Sequence, residues 1–142
     1  MNVPKIPSDF RILETIYKKY YNGFTSFNPD DSSRSTKIWV PIDVEEIARD
    51  LKVDPDIVFG RFHYFLNQKY SYENADQSRV SLFELGVGDD RHCVNFPLMT
   101  SLYAEMLEQR HKHNTAIWIA VGSLLISVIA ILVSVMQSLF PS

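Results

Sequence analysis

The residue types able to carry chemistry in this 142-residue chain fall in three places. The first is "GDDRHC", where Asp89, Asp90, His92 and Cys93 are all of types that bind metals. Their spacing argues against a site. Gly88-Asp89-Asp90 is ordinary turn chemistry, and His92 and Cys93 on a strand would point to opposite faces. No second Cys or His pair completes a tetrahedral set, so no metal or cofactor is expected. The sequence also holds no GxxxxGK[ST] phosphate loop, GxSxG elbow or plausible catalytic triad, and no enzymatic activity is expected.

The second place is a pair of aromatic stretches, "YKKYYNGF" and "FGRFHYFLNQKYSY", with basic residues set among the rings. Bases stack on such rings while cations meet phosphates. The candidates for a nucleotide or single-stranded nucleic-acid ligand are Lys18, Lys19, Tyr21, Arg61, Tyr64, Lys69 and Tyr72. The competing reading is that most of these aromatics fill the core of a small domain, with Tyr21, Tyr64 and Tyr72 expected at the surface. The third place is a greasy C-terminal run that keeps hydroxyls at Ser123, Ser127 and Ser134.

The elements that position these residues follow from local signals. Ser8 caps a helix over residues 9–21, with Phe10, Leu13, Ile16, Tyr17 and Tyr20 on one face and Asn22-Gly23 as its stop. "TSFNPDDSSRST" reads as a loop and "KIWVPI" as a short strand. Asp43, with Glu46 three residues on, opens a second helix that buries Val44, Ile47, Ala48 and Leu51. After "KVD", Asp54 and Pro55 open a third helix to about Lys69, burying Val58, Phe62, Phe65 and Leu66. Then come "KYSY", the polar loop "ENADQS", the alternating strand "RVSLFEL", the turn "GVGDD" and the strand "RHCVNF".

Helix, strand, two helices around a tight turn, and a β-hairpin form the order of a winged helix. Residues 1–97 therefore resemble the winged-helix superfamily, and the expected fold class is α+β, with one long helix following the domain. The resemblance implies that the third helix is the reader of duplex DNA, offering Arg61, His63, Tyr64, Asn67, Gln68 and Lys69. The preceding helix and turn are acidic, with Asp43, Glu45, Glu46, Asp50, Asp54 and Asp56 against Arg49 and Lys52. Phosphate neutralisation supplies much of DNA affinity, so duplex DNA is the less expected partner.

Charge is divided sharply along the chain. The 14 Lys and Arg and 17 Asp and Glu all lie at or before Lys112, leaving the last 30 residues with none. From Thr115 to Phe140 there are 26 residues without charge or proline, and a bilayer core needs roughly 20 apolar residues in a helix. One transmembrane helix is expected at 115–140, joined to the domain by a juxtamembrane helix at 98–114. Together they form a helix about 60 Å long. Arg110 and Lys112 before the span place the domain in the cytoplasm, at the inner membrane if the source is bacterial. The start "MNVPKIPSDF" does not read as a signal peptide, and a lone Cys93 suits a reducing compartment. Only Pro141 and Ser142 are expected beyond the membrane.

Steps of four and three from Ala116 give Ala116, Ala120, Ser123, Ser127, Ala130, Ser134 and Gln137. Of the Gly, Ala and Ser in that stretch, Gly122 alone lies off the line. This is a heptad seam on one side of the helix, and small residues allow helices to approach closely in a bilayer. The line runs backward through His113, Gln109, Met106, Leu102 and Met99. Partners for the seam are most simply other copies, so a homo-oligomer in the lipid bilayer is expected. A dimer would only pack the small residues. Four or more copies, the favoured number, would let Ser123, Ser127, Ser134 and Gln137 line a polar path, with Gln109 and His113 at its cytoplasmic mouth.

Two functional plans fit. A cytoplasmic winged helix on a single span is similar to the bacterial one-component regulators of the ToxR/CadC group. A compact cytoplasmic domain, a basic juxtamembrane helix and one span with a polar seam resemble the small membrane effectors of bacterial anti-phage systems, including the Hailong type. That second resemblance implies an ion channel in antiviral defence, controlled by a nucleotide or DNA-oligomer ligand. The expected function is thus a ligand- or partner-gated pore that permeabilises the membrane. The alternative is a membrane-anchored DNA-binding regulator or a protein-interaction adaptor.

Overall fold

A computed structural model describes residues 5–30, 34 and 36–139. The first four residues, part of the "TSFNPDDSSRST" loop, and Phe140, Pro141 and Ser142 at the far end of the expected span lie outside the described residues. The fold is α+β: a small sheet with helices, followed by one long apolar C-terminal helix. Two compact units are present, one reaching Ala104 and one from Glu105 onward.

Helix α1 (Asp9–Thr25) begins where Ser8 Oγ accepts from the Arg11 N–H. It runs through Asn22-Gly23, which the sequence marks as its stop. Gly23 is not left-handed. The end comes two residues later, where Thr25 Oγ1 donates to the Tyr21 and Asn22 carbonyls and the Ser26 N–H donates to Asn22 O. The extra turn presents Phe24, which stacks on Phe96 with ring centroids 4.7 Å apart. Ile12, Leu13 and Ile16 form its buried stripe. Phe10, Tyr17 and Tyr20 are only half-buried.

Asp43 caps α2 (Val44–Leu51) by accepting from the Glu46 N–H at 2.9 Å. The reciprocal arm of a capping box is absent, because Glu46 is engaged with Lys19. Tyr20 Oη instead accepts the Asp43 N–H at 2.7 Å, which ties α1 to the start of α2. Asp54 caps α3 (Pro55–Gly60), with Pro55 in its first turn. The helix then continues without break as a π-helical segment (Arg61–Leu66) and α4 (Asn67–Tyr70).

The π segment corrects the expected core. Val58, Phe62 and Leu66 are buried at a strict four-residue spacing. In an α-helix each four-residue step drifts by about 40°, and the wider turn of i→i+5 bonding over Arg61–Leu66 offsets that drift between Phe62 and Leu66. Phe65, expected inside, is rotated out and is 40% exposed.

Strand "RVSLFEL" is divided in two. Arg79–Val80 (β3) pairs with Tyr72–Glu73 (β2), and Phe83–Val87 (β4) pairs with Asp90–Asn95 (β5). Trp39–Pro41 (β1) lies on the other side of β5, making an antiparallel sheet of order β1-β5-β4. Pro41 is tolerated because β1 is an edge. His92 has φ 52°, yet the register of β5 on β4 is the same on either side of it. Cys93 and Val94, on the central strand of the sheet, are both fully buried.

Asn95 Oδ1 accepts from the Leu98 N–H and opens α5 (Phe96–Leu139). The domain does not stop at Pro97. Phe96, Met99 and Leu102 are core residues, and Tyr103 packs against Phe10 and Tyr17 at 5.4 and 5.3 Å. Aromatic pairs of this kind are each worth about 0.5–1.5 kcal/mol beyond area burial, so the first two turns of α5 are fastened to α1.

Candidate functional site

Two places retain unassigned chemistry: the aromatic and basic surface of the domain, and the line along α5. On the domain, the folded structure spends most of the cations internally. Lys18 Nζ meets Glu14 at 2.7 Å. Lys19 Nζ bridges Glu46 at 2.9 Å and Asp50 at 2.8 Å, and these two carboxylates push its pKa up, Asp50 first. Arg61 donates Nε and Nη2 to the two Asp9 oxygens and sits over Phe65, with Cζ 3.9 Å from the ring centroid. The Asp9 hydrogen bonds raise the Arg61 pKa further. Lys69 lies over the rings of Phe65 and Tyr70.

The aromatic candidates are outside, with Tyr64 the most exposed at 70% and Tyr21 and Tyr72 about half exposed. They are distributed over separate elements: Tyr21 beside Tyr17 on α1, Tyr64 against Phe59 and His63, and Tyr72 on β2. Of the six residues offered by the expected reading helix, three are engaged within the fold. Arg61 is paired, and His63 stacks on Phe59 with its Nδ1 buried. Asn67 Oδ1 accepts the Leu82 and Phe83 N–H groups, both at 3.0 Å, and the Ser71 hydroxyl at 2.8 Å. Tyr64, Gln68 and Lys69 remain at the surface.

Asn67 is therefore structural: it holds the start of β4, where the chain crosses from one strand pair to the other. Its sequence context gives no sign of this, because the partners lie 15 and 16 residues away. Sequence reading also missed an open cleft of about 700 Å³ lined by Tyr20, Ile42, Asp43, Glu45, Glu46, Arg91 and His92. Its lining includes three carboxylates and one guanidinium. Among the described residues no group of three or more His, Cys, Asp or Glu is placed to hold a metal ion.

Along α5, Met99 and Leu102 of the backward line are buried in their own domain and are not available to a second copy. Gln109 and His113 are exposed, as are Ala116, Ala120, Ser123, Ser127, Ala130, Ser134 and Gln137. Two of the serines have local partners. Ser123 Oγ donates to Ala120 O and Ser127 Oγ to Ser123 O, each at 2.9 Å. Back-bonding of this kind satisfies a hydroxyl inside its own helix, so serine does not by itself demand a polar neighbour. The most apolar 18-residue window of α5 has a mean hydropathy of 2.7 and none of it is buried. This helix is long and apolar enough to cross a membrane. Comparison with protein-family models, with curated proteins and with solved structures found no match.

Proposed function

We propose that the chain is a homo-oligomeric, single-span membrane effector whose assembled spans permeabilise the membrane. Its N-terminal domain lies in the cytoplasm, on the strength of Arg110 and Lys112 beside the span. One observation carries the reading. On a helix whose apolar window is not buried by any of the described residues, the small and hydroxyl residues apart from Gly122 share one line from Ala116 to Gln137. A lone anchor has no need to sort its small residues onto one side. A helix that packs against copies of itself does, because close approach replaces the absent hydrophobic drive between helices.

At four or more copies the line surrounds an axis, and Ser127, Ser134 and Gln137 offer oxygens to a narrow path. The domain then acts as the controlling element. The order of helix, strand, helices and hairpin supports a winged-helix-like reading of it. The internal use of Arg61, His63 and Asn67 works against a duplex-reading helix. The pairing of Lys18, Lys19 and Arg61 works against phosphate contacts, so a protein partner suits this domain better than a nucleotide. The plan is that of a small bacterial defence effector.

Replacing Ser127 and Ser134 by leucine tests the path. Conductance of the reconstituted chain in a planar bilayer should fall to background while the copy number is retained. Unchanged conductance would remove the line from the pore, and an absence of conductance in the wild type would remove the pore.

A further inference from the structure

Charge on α5 stops at one level. Arg110, His111, Lys112 and His113 are consecutive and all exposed. At 3.6 residues per turn four consecutive side chains surround a helix rather than mark one face of it. Beyond them no Asp, Glu, Lys or Arg occurs through Leu139. Trp118 comes six positions after Lys112 and is 74% exposed, which sets it about 9 Å further along the axis.

That distance matches a membrane boundary. A bilayer of about 40–45 Å with a hydrocarbon core of about 30 Å leaves a polar layer of roughly 5–8 Å on each side. Cations at residues 110–113 and an indole at 118 bracket one such layer, with the ring at its inner edge, where tryptophan is enriched. Lys112 pairs with Glu108 at 2.7 Å, both side chains being mostly exposed. Exposed pairs are weak, so a headgroup phosphate can replace the carboxylate. Glu108 itself lies a full turn further from the apolar segment.

We infer that the collar at residues 110–113 binds the phosphate of anionic phospholipid headgroups, with Trp118 fixing its depth. The occupant is a lipid because the cations adjoin an uncovered apolar helix and end where it begins. The inference rests on the membrane-spanning reading above. It adds a lipid class to it and needs no particular copy number.

The two tryptophans of the chain give a direct assay. Full-length Trp39→Phe protein, in which Trp118 is the sole indole, is reconstituted in phosphatidylcholine vesicles. These carry a small fraction of phosphatidylglycerol or phosphatidylcholine brominated near the top of the acyl chains. Quenching of Trp118 should show a preference for the anionic lipid of about fivefold per cation engaged, falling as salt is added. In Arg110→Gln/Lys112→Gln the preference should vanish while quenching by the brominated phosphatidylcholine persists. Equal quenching by both lipids in the unmutated collar would overturn the inference and leave the span intact. No quenching by either lipid would overturn the span and the inference together.

Discussion

Asn67→Ala is the most informative change in the domain. Asn67 Oδ1 is the acceptor for the Phe83 N–H, and it shares the Leu82 N–H with Ser71 Oγ, which lies at 3.3 Å. Both Leu82 and Phe83 are essentially inaccessible to water. Alanine leaves the Phe83 N–H unpaired at a cost of about 1–3 kcal/mol. It also weakens the Leu82 bond and releases the Ser71 hydroxyl, a further ~1 kcal/mol. The sum, about 2–4 kcal/mol, corresponds to roughly 8–30 °C in the melting temperature of a domain of this size. Asn67→Asp keeps an oxygen in place for both N–H groups and should lose far less. Near-UV circular dichroism during heating of the full chain in a mild detergent follows the aromatic-rich domain without interference from the α5 backbone. An Asn67→Ala melt within 3 °C of wild type would refute the reasoning, as would an Asn67→Asp variant as weak as the alanine.

Other expectations concern single contacts. Asp43→Ala should destabilise by about 0.5–2 kcal/mol through loss of the α2 cap. Tyr20→Phe should cost about 0.5–1.5 kcal/mol through loss of the acceptor for the Asp43 N–H; both are read from the same melts. Cys93 is fully buried, and burial, followed by Asp90, raises its thiol pKa. An alkylating reagent at pH 8 should therefore leave it unmodified in the folded chain and modify it completely in denaturant. The Lys18 hydrogen bond, followed by the charges of Lys18 and Arg11, lowers the Glu14 pKa below its ordinary 4.5 despite partial burial. A lowered folded pKa gives stability that is present above the unfolded value and lost as pH falls through the folded one. The stability difference between wild type and Glu14→Gln should hold at neutral pH, shrink below about pH 4.5, and shrink with salt at any pH.

How much of this was readable in the sequence depends on the range of the interaction. The caps at Ser8, Asp43 and Asp54 were legible because a cap is chosen within three residues. The Glu14–Lys18 pair obeys the i,i+4 rule and could have been read in the same way. Lys19 with Glu46 and Asp50, and Arg61 with Asp9 over 52 residues, are consequences of tertiary packing, and they convert apparent ligand cations into structural ones. Gly23 failed as a stop because a glycine ends a helix only where the chain turns left-handed. Here the stacking of Phe24 on Phe96 rewards another turn. Four-residue spacing at 58, 62 and 66 is the trace that the π segment leaves in the sequence, and it is easily taken for an α-helical stripe. The line on α5 was legible as a period, yet its first members, Met99 and Leu102, belong to the domain core. Periodicity alone does not say which partner covers a face.

Self-assembly of the spans is the central claim, and the copy number of the full chain tests it most directly. Native mass spectrometry of the protein released from lipid nanodiscs should give one closed species of four or more copies, and Ala120→Leu/Ala130→Leu should break it into smaller ones. A monomer or dimer in lipid would contradict the account, because two helices packed along the line from Ala116 to Gln137 leave no space between them for a path.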